Sequence, residues 1–218
     1  MNNPQPEAQR RFPALLFILA VAALAAGIWL GQWAARKNAP PVLVGATLLP
    51  QPKALAPYRL VDFHGAPFGP QQMRGKWTFL FFGYTHCPDV CPSALALLNR
   101  VTQRLRQPAG VAEETQVVFI SVDPQRDKPA VLARFVPYFN KDFIGATGSP
   151  DEIAKLTRQV GVVYARSGES GDDYVVDHSA SILLLDPQGR YTALFSAPQD
   201  PDTMVSDFLK IRGYYEDL

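Results

Sequence analysis

Cys87 and Cys91 stand four residues apart in the run Phe82-Gly83-Tyr84-Thr85-His86-Cys87-Pro88-Asp89-Val90-Cys91-Pro92, and they are the chain's only cysteines. Residues four apart on a helical turn share a face with Cα atoms about 6 Å apart, inside the roughly 4.4–6.8 Å that a disulfide spans. Two sulfurs on one metal ion, each at about 2.3 Å by analogy with zinc, stand about 4 Å apart. The same backbone can therefore close a disulfide or clamp a metal by side-chain rotation alone, and redox state would control metal binding. Pro92 suits a first helical position, which makes Cys91 the cap and leaves Cys87 in the preceding loop, where helix-terminal amides help stabilise a thiolate. Spacing alone leaves three readings open: a structural pair, a metal clamp and a dithiol that exchanges disulfides. A bridge over so few residues constrains the unfolded chain little. Thioredoxin-type exchange motifs carry two intervening residues, whereas this one has three.

A metal clamp wants a further donor, and the chain has three histidines. His64, in Asp62-Phe63-His64-Gly65, reads as a surface residue in a hairpin turn. His86 adjoins Cys87, but sequence neighbours rarely aim at one point. His178 lies in Val175-Val176-Asp177-His178-Ser179-Ala180, just before an apolar strand, at a loop that a distant cysteine loop can approach. A lone histidine is more often structural than a ligand.

The elements that must position these groups follow from periodicity. Residues 77–82, 117–122 and 182–185 are short, nearly continuous apolar runs, as strands buried on both faces are. Helical spacing marks 92–105, and 129–139 and 150–160 each open with proline at or near a first helical position. Asp186-Pro187-Gln188-Gly189 has the residue types of a type I turn, predicting a hairpin of 182–185 with 191–195, followed by a helix over 201–211. Strands alternating with helices, with a cysteine pair directly after an apolar strand and at a helix start, give an α/β domain with the pattern of the thioredoxin fold: a central mixed sheet flanked by helices.

Residues 12–35 carry no charge and would rise roughly 36 Å as a helix, against about 30 Å of hydrocarbon. Trp29 and Trp33 near one end suit an interface, and Arg10, Arg11, Arg36 and Lys37 bracket the run without setting an orientation. A signal peptide cleaved near Ala23-Leu24-Ala25 is the alternative to a retained anchor; apolar residues continuing through Ile28, Trp29 and Leu30 favour the anchor. The division expected is a tail over 1–11, a transmembrane anchor over 12–35, a Pro-rich tether over 36–57 and a globular domain over 58–218.

Of 218 residues, 47% are hydrophobic and 19% charged, with a net charge of +1. That composition fits one well-filled domain and argues against nucleic-acid binding through a bulk positive field. From residue 38 onward there are 17 basic and 19 acidic residues, a net −2, so the domain is not drawn electrostatically to an anionic membrane face.

Four segments together resemble the Sco/SenC proteins: residues 83–92, Ser121-Val122-Asp123-Pro124-Gln125-Arg126-Asp127, Val176-Asp177-His178-Ser179-Ala180 and Asp186-Pro187-Gln188-Gly189. The similarity runs from about residue 58 to the C-terminus; Lys128, where threonine is common in the family, is a minor departure. The resemblance implies a membrane-tethered thioredoxin-like domain that binds one copper ion, as Cu(I) or Cu(II), and helps assemble the CuA centre of cytochrome c oxidase. Residue by residue it makes Cys87 and Cys91 the thiolate ligands and a redox-active disulfide, and His178 the imidazole ligand. Asp177 and Asp123, within matched segments, become candidates to orient that imidazole. Two thiolates and one imidazole form a soft, low-coordinate set suited to Cu(I), whereas structural zinc would want a fourth ligand. The partners implied are the CuA-bearing oxidase subunit and other copper chaperones or thiol reductants. The place implied is the inner membrane, crossed once, with the domain in the periplasm. A reductase that keeps the CuA cysteines reduced and a copper-dependent redox sensor use the same residues.

Overall fold

The structure is a computed structural model that describes residues 8–37, 39–107, 110–167 and 174–216. Helix α1 (Ala8–Lys37) belongs to one compact unit and residues Leu43–Lys210 form another. Within α1, Leu15–Gln32 has a mean hydropathy of 2.2 with none of that window buried, long and apolar enough to cross a membrane.

The larger unit is built on an eight-stranded mixed sheet. Its strands are β1 (Ala46–Ala54), β2 (Leu60–Asp62), β3 (Pro67–Phe68), β4 (Trp77–Gly83), β5 (Thr115–Ser121), β6 (Ile144–Thr147), β9 (Ile182–Leu185) and β10 (Arg190–Phe195), in the order β1-β10-β9-β4-β5-β6-β2-β3. β4, β5 and β6 run parallel; β9, β10 and β1 continue antiparallel on one side, β2 and β3 on the other. Helices α2 (Val90–Arg104), α3 (Pro129–Phe139), α4 (Pro150–Val160) and α5 (Pro201–Glu216) flank the sheet. The remaining strands, β7 (Tyr164–Ser167) and β8 (Val175–His178), form a separate two-stranded antiparallel ribbon.

The core follows from the sequence runs. All seven residues of β4 are buried, as a central strand covered on both faces requires. Trp77 and Phe79, on one face of it, pack against Phe208 of α5 at ring-centroid distances of 5.7 and 5.2 Å, and Phe81 on the same face meets Phe119 of β5 at 6.2 Å. In α2, residues 91, 94, 95, 98 and 101 are buried at helical spacing. Ser149 caps α4 by accepting the Glu152 amide, Pro150 opens the helix and Gly161, at φ 72°, closes it in the left-handed region.

Two expectations need correction. Part of the expected tether over 36–57 is strand: β1 pairs with β10 through Ala46–Phe195 and Lys53–Tyr191. Pro50 and Pro52 made the segment look like a linker, but β1 is an edge strand whose register shifts between Leu48 and Lys53, and an edge with a bulge tolerates proline. Likewise α2 starts at Val90 with Asp89 as its cap, so Cys91 is the second helical residue and Pro92 the third. Amides throughout a first turn have no intrahelical acceptor, so proline at any of those positions forfeits no helical hydrogen bond.

Candidate functional site

The cysteine loop lies at the C-terminal end of β4 beside the loop that leaves β5, at the carboxyl edge of two parallel strands. The Cys87 amide bonds to the Tyr84 carbonyl at 3.4 Å, closing a turn, and the Cys91 amide, in the first turn of α2, donates to the Cys87 sulfur at 3.4 Å. The expected helix-terminal amide is therefore present on Cys87. Both cysteines are free thiols; Cys91 is fully buried, Cys87 only partly.

Gly83, the last residue of β4, makes room for this pair. A Cβ there would stand 2.6 Å from the Cys91 sulfur and 2.9 Å from the Phe119 ring, so the sulfur rests on bare backbone. Burial pushes the Cys91 thiol well above its ordinary range; the Tyr84 amide works against that rise, and the neighbouring Cys87 adds to it. A cation held between the sulfurs would reverse this balance, since metal binding displaces thiol protons. The donor set thus fits a soft metal ion: two sulfurs on one preformed turn, one of them shielded from water.

Asp127, missed as a site residue in the sequence, fastens the loop. Its fully buried carboxylate accepts the Thr85 amide at 2.8 Å, the Thr85 hydroxyl at 2.6 Å and the Ser121 hydroxyl at 2.6 Å. His86 Nδ1 lies 3.8 Å from the same carboxylate and 3.1 Å from Thr85 Oγ1, with the imidazole largely exposed. The only sequence signal for Asp127 was membership of the segment 121–127.

The other expected residues fall as follows. His64 is exposed in the turn between β2 and β3, as expected. His178 ends β8, opposite Tyr164; its side chain lies outside the described residues. Asp177 is exposed and accepts the Ser167 hydroxyl of β7 at 2.9 Å. Asp123 is buried and binds Arg126 Nε and the Tyr174 hydroxyl, each at 2.5 Å. Tyr84 leads into the cysteine loop with its ring buried. Burial raises its phenol, while a Val176 backbone amide facing the hydroxyl lowers it, Cys87 and Cys91 add to the rise and Arg126 opposes it.

Sheet, crossing helices and cysteine turn together define a thioredoxin-like domain with a thiol site at the strand ends. Residues 47–212 match the SCO1/SenC family, and the chain belongs to it. The mitochondrial SCO1 homolog 1 of Arabidopsis thaliana is 36% identical over 159 residues, and the mitochondrial SCO2 homolog of Bos taurus 38% over 149. These matches cover 72% and 68% of this chain but only 47% and 56% of those proteins, so the chain spans about half the length of these curated relatives. Among solved structures, Arabidopsis thaliana ScoI with copper bound superposes with a TM-score of 0.68 at 36% identity, covering 73% of this chain and 98% of that one. Yeast Sco1 with copper bound gives 0.67 at 32% identity, over 73% and 88%.

Proposed function

We propose that this chain is a membrane-anchored copper chaperone that carries one copper ion on Cys87, Cys91 and His178 and delivers it to the CuA centre of cytochrome c oxidase during assembly, with its folded domain in the periplasm and α1 in the inner membrane. The observation that carries the reading is the 3.4 Å contact of the Cys91 amide with the Cys87 sulfur on the turn that Asp127 and Gly83 hold. Family members of 32–36% identity bind copper in their solved structures. Copper is cargo here. An open, three-ligand site suits transfer, because an incoming thiolate can add before a resident one leaves. Cys87 is the sulfur such a thiolate reaches first, and Cys91 the one released last.

The same contact also favours a second reading. Cys87 and Cys91 could pass two electrons and two protons to a disulfide of the acceptor subunit, becoming a disulfide themselves and leaving the acceptor's thiols ready for metal. One variant separates the two. His178→Ala in the full-length protein is expected to lose tight Cu(I) binding, measured by competition with a chromophoric chelator, while still forming the Cys87–Cys91 disulfide. Failure of oxidase assembly in cells carrying that variant supports delivery; normal assembly would assign the chain to thiol reduction. The wild-type protein is expected to take one Cu(I) per chain, and a preference for zinc would falsify the site.

A further inference from the structure

Among the described residues, the ribbon that ends in His178 shares no ladder hydrogen bonds with the eight-stranded sheet, so side-chain ties help to place it. The ties lead to the two loops of the cysteine site. Tyr174, buried just before β8, donates its hydroxyl to Asp123 at 2.5 Å, and its carbonyl accepts Arg126 Nη1 at 3.0 Å. Its ring is sandwiched between two guanidinium groups, Arg126 at 3.6 Å and Arg166 of β7 at 3.4 Å from the centroid. Arg166 in turn donates to Gln125 at 3.0 Å. Arg126 is paired with the buried Asp123 and lies 5.6 Å from the ring centroid of Tyr84, whose hydroxyl faces the Val176 amide of β8. Tyr84 is three residues before Cys87, and Val176 two before His178.

A buried ion pair recovers little net stability after desolvation, and its value lies in fixing one arrangement. A planar guanidinium that stacks, pairs and hydrogen-bonds at once suits that task better than an ammonium. We infer that Arg126, together with Asp123, Tyr174 and the Tyr84 hydroxyl, forms a positioning cluster that locks the His178 strand against the cysteine loop and thereby sets the affinity for copper. This rests on the three-ligand reading above. None of the four touches the ion; they act through the placement of His178.

The test measures Cu(I) affinity of the full-length protein in detergent by chelator competition, for Arg126→Gln and Tyr84→Phe, each made alone and on top of His178→Ala. Outer partners of a metal-binding histidine affect affinity by about tenfold or more, and that loss is expected for Arg126→Gln. Tyr84→Phe removes a single hydroxyl, is the variant least able to disturb folding, and is expected to cost about fivefold. Neither should weaken binding further once His178 is alanine, because a group acting through His178 has nothing left to act on. X-ray absorption of the copper-loaded Arg126→Gln protein is expected to show a weakened nitrogen contribution with both sulfurs retained. Equal losses in both backgrounds, or no loss in either variant, would overturn the positioning role alone. If His178→Ala by itself leaves affinity unchanged, the ligand reading falls and takes this inference with it.

Discussion

Asp127 and Asp207 are both carboxylates with no exposed surface, yet they are satisfied in opposite ways. Asp207, on α5, accepts three backbone amides from the approach to β1: Val44 at 2.9 Å, Gly45 at 2.7 Å and Ala46 at 3.0 Å. Asp127 instead binds two side-chain hydroxyls and one amide, with His86 close by on the cysteine loop. Amides cannot be rearranged without moving the chain, so Asp207 is a staple between the ends of the folded unit. Hydroxyls rotate, and a carboxylate that relies on them holds a loop in one geometry while leaving it adjustable. The difference separates a residue that keeps the protein folded from one that keeps its thiols aimed.

The largest effect is expected from Asp207→Ala, which strands three amides and should cost roughly 3 kcal/mol or more in chemical denaturation while leaving Cu(I) affinity unchanged. Burial alone would raise the Asp207 carboxyl, but the amides of Gly45, Ala46 and Val44, and then Lys210, hold it below the usual carboxylate range. A lowered folded value contributes stability in full above the unfolded value of about 3.9, and that contribution is lost as pH falls through the folded value. The stability gap between wild type and Asp207→Asn should therefore narrow only in that acidic window, and a constant gap would show that the charge contributes nothing.

Asp127→Asn should reverse the pattern: about 1 kcal/mol of stability, but about a tenfold loss of Cu(I) affinity through the loosened loop. Should its denaturation midpoint fall as far as that of Asp207→Ala with affinity intact, the contrast between the two carboxylates collapses. The smallest change is expected from His86→Ala, within about 0.5 kcal/mol of wild type and without effect on one-to-one Cu(I) binding. A large loss there would make His86 a ligand and sharpen the question of what Asp127 orients.

Much of the frame was legible because burial writes itself into the sequence. The apolar run from Trp77, the prolines that open α3 and α4, and the turn before β10 each predicted an element that is present. What was not legible depends on distance along the chain. Nothing in the spacing of residues 121–127 says that Asp127 reaches Thr85, 42 positions earlier, or that Arg126 reaches Tyr174, 48 positions later. β1 was hidden for a different reason, since its prolines report on an edge only once the neighbouring strand is known.

The contact between Gly83 and the Cys91 sulfur moves the boundary of what has to be transplanted. Grafting Cys-x-x-x-Cys onto another strand–helix junction would give two thiols standing apart unless the strand's final residue were also left without a side chain. The portable unit is nine residues long, and its first member bears no donor atom in a side chain at all.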